Sequence, residues 1–211
     1  MRDESEKEVI HRLEAFSDIV IGFSLAQLSL SLRMPEHVVD LFMGTGRLST
    51  IGAFVITFTL VCSLWWLHHK LFRHLFVPTP ANIAVNFAAL GGVLFYAYAM
   101  QVLINLKFHD PYGFALYFGC YAYITLLFAY LAWYGLRARG ADLPAPIRTE
   151  QGDLAGRLAI LGLGFTGITV MMLLNGGNSN LGATAIVFVF IPLLIQRALI
   201  RRRKMRAAQE G

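Results

Sequence analysis

The sequence predicts an all-α, polytopic membrane protein with six transmembrane helices. Of its 211 residues, 56% are hydrophobic and only 15% are charged, whereas a soluble domain carries about 25% charged residues. The mean hydropathy is +0.57. Long uncharged segments recur along the chain, separated by polar or proline-containing stretches. These observations indicate one transmembrane domain that covers residues 1–211.

Six segments are apolar enough to cross a ~30 Å hydrocarbon core as helices. The last two come from one uncharged stretch, Leu158 to Gln196, which is too long for a single helix. The turn-forming hexapeptide Asn175–Asn180 divides it and predicts a tight hairpin. The polar, proline-containing segment Arg137 to Gln151 is predicted to be a loop. The predicted spans are about 13–32, 48–68, 81–106, 112–136, 154–174 and 181–200.

The distribution of lysine and arginine predicts the orientation of the chain. Six spans place both termini on the same side of the membrane. Fifteen of the eighteen basic residues lie on that side, and this bias is typical of the cytoplasmic side. We therefore expect a multi-pass protein of the cell (inner) membrane with both termini in the cytoplasm. The basic C-terminal tail, residues 197–206, predicts contact with anionic lipid headgroups and no nucleic-acid partner.

The first predicted span is the most unusual, because its apolar sequence contains a carboxylate and a row of polar side chains. A carboxylate such as Asp18 near membrane depth costs about 2.5 kcal/mol or more and tends to face protein or water. Three serines recur every seven residues, and a glutamine lies on the same side of the helix. Each serine alone is explained by a hydrogen bond to its own helix, but together they predict contact with water or a partner helix. This polar stripe consists of Ser17, Ser24, Gln27 and Ser31.

Three motifs typical of enzymes are absent from the sequence: it contains no HExxH, no GxSxG and no P-loop. His68 and His69 lie at the end of the second span, but adjacent helical residues point about 100° apart and do not readily bind one metal. We expect no enzyme activity and no cofactor. Two alternatives stay open, a haem-linked redox protein that uses these histidines and a proton-coupled carrier that uses Asp18.

The two cysteines, Cys62 and Cys120, both lie in apolar segments. Two buried thiols make neither a disulfide framework nor a metal site. We interpret both as packing residues of the core.

Two motifs resemble the endosomal/lysosomal potassium channel family, that is, transmembrane protein 175 and its prokaryotic six-helix relatives. Residues Arg12 to Asp18, RLEAFSD, match the R-x-x-x-F-S-D signature that opens the first helix of that family. Residues Trp65 to Phe72, WWLHHKLF, are similar to the end of its second helix, a tryptophan followed by H-H-x-L-F. The chain length, the six spans and the cytoplasmic termini are similar too, so the likeness covers nearly the whole chain.

The resemblance implies a homotetrameric, potassium-permeable cation channel that conducts passively through a central pore lined by the first helices. Carried over residue by residue, the apolar rings that gate the pore are Phe23 and Leu30. Ala26 takes the place of a hydroxyl residue, and Gln27 lies beside it. Phe23 is aromatic where the family has an aliphatic residue, and Ala26 has no hydroxyl to coordinate a dehydrating cation. The implied structural network consists of Arg12, Phe16, Ser17, Asp18, Trp66, His68 and His69.

The polar stripe and the implied pore residues point in different directions. Ser24, Gln27 and Ser31 centre about 90° away from Phe23 and Leu30 on a helical wheel. We favour Phe23 and Leu30 as pore-facing, because apolar rings gate a pore by dewetting. The polar stripe would then face the helices of a neighbouring subunit. The sequence leaves the ion preference and the gating stimulus open.

Overall fold

The computed structural model describes residues 4–30, 45–106 and 110–174, and within these ranges all regular structure is helical. Five helices are long and apolar enough to cross a membrane, which confirms the all-α membrane fold class. The predicted sixth span, the 175–180 hairpin and the basic tail lie outside the described residues. The helices are α1 (Glu4–Leu30), α2 (Thr45–His74), α3 (Pro80–Asn105), α4 (Pro111–Arg139) and α5 (Ala145–Leu174), with a 3-10 turn at Gly140–Asp142.

Local capping residues determine where α3 and α4 begin. Thr79 Oγ1 accepts a hydrogen bond from the backbone N–H of Asn82 at 3.2 Å. The Asp110 carboxylate accepts one from the N–H of Gly113 at 3.0 Å. In both helices the next residue after the cap is proline, whose missing N–H would have no helical partner at that position. The predicted spans at 81 and 112 therefore begin one residue after the helices do.

The segment 137–151 differs from the predicted loop, because most of it is helical. Helix α4 continues to Arg139, and α5 begins at Ala145. The two prolines that suggested a loop lie at the start of α5, where proline is well tolerated. The carbonyl of Pro144 accepts a hydrogen bond from the N–H of Arg148 at 2.9 Å, which closes the first turn. The polar residues Arg148 to Gln151 thus form a helical extension of α5 beyond its apolar part.

The helices pack in chain order around a core centred on α3 and α4. Helix α4 packs most extensively against α5, α3 packs against α4, and α1 packs against α2 and α3. Small residues permit the closest approaches: a Cβ atom on Gly135 of α4 would lie 2.2 Å from the carbonyl oxygen of Leu75, and one on Gly162 of α5 would lie 2.6 Å from the Leu126 side chain. Helix α1 is held by one face, and its other face is exposed.

Candidate pore-lining helix and its anchor

The exposed face of α1 is apolar. Ile19, Phe23 and Leu30 expose 70%, 66% and 83% of their surface in the single chain, whereas Ile21 and Leu28 on the opposite side are buried. Apolar residues at this spacing line one side of a helix. A subunit that leaves this side uncovered presents it to lipid, to another subunit or to a pore. We call this surface the outer face of α1; it comprises Phe16, Ile19, Phe23, Ala26 and Leu30.

The four residues implied as pore-lining lie on this face or at its edge. Phe23, Ala26 and Leu30 are exposed, and Gln27 is half-buried. The backbone carbonyl of Gln27 accepts a hydrogen bond from Gln101 Nε2 of α3 at 3.3 Å. This contact ties the C-terminal part of α1 to its own subunit.

Ile19 also belongs to the outer face, and sequence reasoning did not single it out. It lies four residues before Phe23, about one helical turn, and therefore on the same side. That spacing was the available signal. The spacing alone did not single out Ile19, because Val20 and Ile21 beside it are apolar as well.

Two members of the polar stripe, Ser17 and Ser24, face the interior of the subunit. Ser17 and Ser24 are fully buried, at 0% exposure. Ser17 Oγ donates to the carbonyl of Leu13 at 2.7 Å, and Ser24 Oγ donates to the carbonyl of Val20 at 2.9 Å. The hydroxyl groups are thus satisfied within α1 itself. Ser31 lies outside the described residues.

A buried chain of hydrogen bonds joins α1, α2 and α3. His68 of α2 is fully buried, and its ring stacks on Phe72 with 4.1 Å between centroids. His68 Nε2 lies 3.0 Å from Asn86 Oδ1; because an amide oxygen only accepts, the histidine donates. Asn86 Nδ2 in turn donates to Ser17 Oγ at 3.4 Å. Asn86 therefore connects two residues of the implied network that do not bond each other directly.

Two further contacts attach α1 to α2. Trp65 Nε1 donates to Asp18 Oδ1 at 2.7 Å, and His69 Nδ1 lies 2.7 Å from Glu14 Oε1. The sequence indicated Asp18 and His69 as network residues but neither Trp65 nor Glu14. Both missed partners lie beside signature residues, and only the crossing of the two helices brings them into contact.

The remaining network candidates lie apart from these contacts. Arg12 pairs with Glu8 on its own helix, at 2.6 Å, instead of Asp18. Trp66 is half exposed, and Lys70 Nζ lies 5.7 Å from the centre of its ring. Phe16 packs edge-on against Phe87 of α3, with centroids 5.7 Å apart. These three residues thus lie at the surface of the single chain.

The described residues offer no obvious place for a metal or haem. His68 faces the core and His69 faces Glu14, so the two rings do not converge. Within 4–30, 45–106 and 110–174 no three His, Cys, Asp or Glu side chains come together to hold a metal ion. Cys62 and Cys120 are free thiols. A cavity of about 660 Å³ between α3, α4 and α5 is lined by uncharged residues of those helices.

The described helices define a multi-span membrane protein. Residues 12–96 match the family profile described as endosomal/lysosomal potassium channel TMEM175. That match contains both signature segments and the residues of α2 and α3 whose hydrogen bonds hold α1. The match covers 85 of the 211 residues, so this part of the chain is similar to the potassium channel family.

Solved structures share the fold. A single-residue variant of the potassium channel MtTMEM175, in complex with a nanobody–MBP fusion protein, aligns with a TM-score of 0.67 and 19% identity, over 92% of this chain and 93% of that chain. A homologue, from Chamaesiphon minutus, of the lysosomal potassium-selective channel TMEM175 aligns with a TM-score of 0.63 and 19% identity, over 90% of this chain and 97% of that chain. No curated protein sequence matches significantly.

Proposed function

We propose that four copies of this chain form a potassium-permeable channel, with the outer faces of the four α1 helices around a central pore. The observation that carries the proposal is the distribution of side chains on α1, where apolar residues are exposed and serines are buried. Its apolar side is exposed, with Phe23 and Leu30 at 66% and 83%, while Ser17 and Ser24 are buried within the subunit. One helix cannot enclose a pore, so several copies must contribute. The two structural relatives are themselves named as potassium channels.

Conduction in this proposal depends on apolar rings. Phe23 and Leu30 lie seven residues apart, about 10 Å along the helix, and four copies of each make two rings. A narrow apolar ring offers an ion no replacement for its hydration shell, so it is a barrier until it widens or becomes wet. Ala26 leaves more room between the rings, and Gln27 at the edge holds water or a hydrated ion there. Conduction is passive and needs no cofactor.

Substitutions on the outer face test the proposal. We expect Phe23→Ala and Leu30→Ala each to raise conductance and weaken cation discrimination, because each widens a barrier, and Gln27→Leu to lower conductance. The matched control is Leu25→Ala: Leu25 is half-buried and packs against the core of the subunit, so its loss should affect stability and leave conductance unchanged. Single-channel or liposome-flux recordings at matched protein amounts measure these effects.

Two results would contradict this pore face. The first is unchanged flux in both Phe23→Ala and Leu30→Ala. The second is a change of flux caused by Ser24→Ala at unchanged stability, which would make the polar stripe the pore wall. Potassium preference is tested separately, by reversal potentials of the reconstituted protein under potassium, sodium and proton gradients. A reversal potential that follows sodium or protons instead would reject potassium as the preferred ion.

Assembly is a prediction of its own. Native mass spectrometry of the protein in mild detergent should give the mass of a tetramer, because a single α1 helix cannot enclose a pore. A protein that is monomeric in every detergent that preserves its fold would contradict the proposed architecture.

The proposed location is the cell (inner) membrane with both termini in the cytoplasm. The bias of basic residues supports this orientation, and the basic tail at 197–206 would contact anionic headgroups. Reporter fusions at each terminus test this orientation. Activity of a periplasm-specific reporter at either end would contradict it.

A further inference from the structure

The outer face of α1 continues beyond its apolar part to a pair of opposite charges. Arg12 lies eleven residues before Phe23, about three full helical turns, and therefore on the same side of the helix. Glu8 lies a further turn away. Arg12 Nη2 is 2.6 Å from Glu8 Oε1, and the two side chains are 78% and 63% exposed. Both charged groups point away from the rest of the subunit.

Other charged residues of α1 have different positions. Glu6 pairs with Arg139 at the end of α4, and Glu14 pairs with His69 of α2, so both are bound to their own subunit. Lys7 pairs with Glu4 at 2.5 Å, and these side chains are exposed too. Lys7 precedes Arg12 by five residues, however, and at 100° per residue it points about 140° away from it.

This inference rests on the proposed function. We infer that Glu8 and Arg12 of the four subunits form a charge-compensated ring at the mouth of the pore on the side of the chain termini. The ring determines the local concentration of permeant cations, and thereby the current that enters from that side. An exposed ion pair within one helix contributes little to stability, so folding alone does not explain charges at this position.

Electrostatics then predicts opposite effects for the two residues. Without the Arg12 charge, four carboxylates remain at the mouth and attract cations; without the Glu8 charge, four guanidinium groups remain and repel them. Both effects must depend on ionic strength. The screening length is about 30 Å at 0.01 M salt and about 3 Å at 1 M, so the effects should be largest in dilute salt and absent in concentrated salt.

The experiment is single-channel recording of the full-length protein in planar bilayers, with potassium as the permeant ion. At ~0.01 M salt we expect Arg12→Gln to raise, and Glu8→Gln to lower, the current entering from the side of the termini by about twofold or more. At ~1 M salt both variants should match the unsubstituted protein. Lys7→Gln is the matched control for Arg12→Gln, because it removes a positive charge from another side of α1, about one turn away.

Arg12 also belongs to the signature motif, so Arg12→Gln could fail to assemble; Glu8→Gln and Glu8→Lys then carry the test. The inference is overturned if the Glu8 variants conduct like the unsubstituted protein in dilute salt. If Phe23→Ala still raises conductance in that case, the proposed pore stands and only the ring is rejected. If Phe23→Ala leaves conductance unchanged as well, the pore face itself is wrong.

Discussion

Gly135→Ala is expected to lower the thermal stability of the protein sharply. A Cβ atom at this position of α4 would lie 2.2 Å from the carbonyl oxygen and 2.7 Å from the Cβ of Leu75, at the end of α2. The obstructing atoms belong to or adjoin the backbone, so no side-chain rotation relieves the contact and the two helices must separate. Overpacking of a dense interior costs about 1–3 kcal/mol or more. Melting in detergent, followed by fluorescence-detected size exclusion, measures the loss.

The matched control for this change is Gly152→Ala in α5. A Cβ atom there meets nothing within 4 Å, and alanine favours a helix over glycine by about 1 kcal/mol. This variant should melt at the same temperature as the original protein or higher. If Gly135→Ala melted as high as Gly152→Ala, the close approach of α4 to the end of α2 would be wrong.

Asn86→Leu is expected to have the second-largest effect, because Asn86 is the link between α1, α2 and α3. The change removes the acceptor of the buried His68 Nε2–H and the donor to Ser17 Oγ. A buried polar group left without its partner costs about 1–3 kcal/mol. Gln101→Leu is the control on the same helix: its amide is half-buried and makes a 3.3 Å hydrogen bond to a backbone carbonyl, so its loss should cost less.

A second substitution separates the hydrogen bond from packing. His68 already stacks on Phe72 and lies 5.6 Å from the ring of Phe128. Phenylalanine at position 68 therefore suits this environment, and replacing both partners by apolar groups is nearly neutral. His68→Phe combined with Asn86→Leu should be more stable than Asn86→Leu alone. If the stability losses of His68→Phe and Asn86→Leu simply added in the double variant, the two residues would not act through their hydrogen bond.

The membrane class and several helix boundaries were predictable from the sequence, because they depend on local properties. Hydropathy alone identifies segments that must leave water, and capping chemistry determines the starts of α3 and α4 through Thr79 and Asp110. The signature segments at Arg12–Asp18 and Trp65–Phe72 indicated a resemblance to the family, and the family profile matches residues 12–96, which contain both segments. The segment 137–151 was the exception, since proline is equally compatible with a loop and with the first turn of a helix.

The tertiary structure alone decided which residues of α1 face inward and which partners hold it. A helical wheel gives the angle between Phe23 and Ser24 but not which of them faces the subunit. Buried serines in an apolar segment can bond to their own helix, so polarity was no guide either. Trp65 and Asn86 became partners of the signature residues because α2 and α3 cross α1 at that depth. Such crossings depend on packing between segments distant in the chain, which no local pattern encodes.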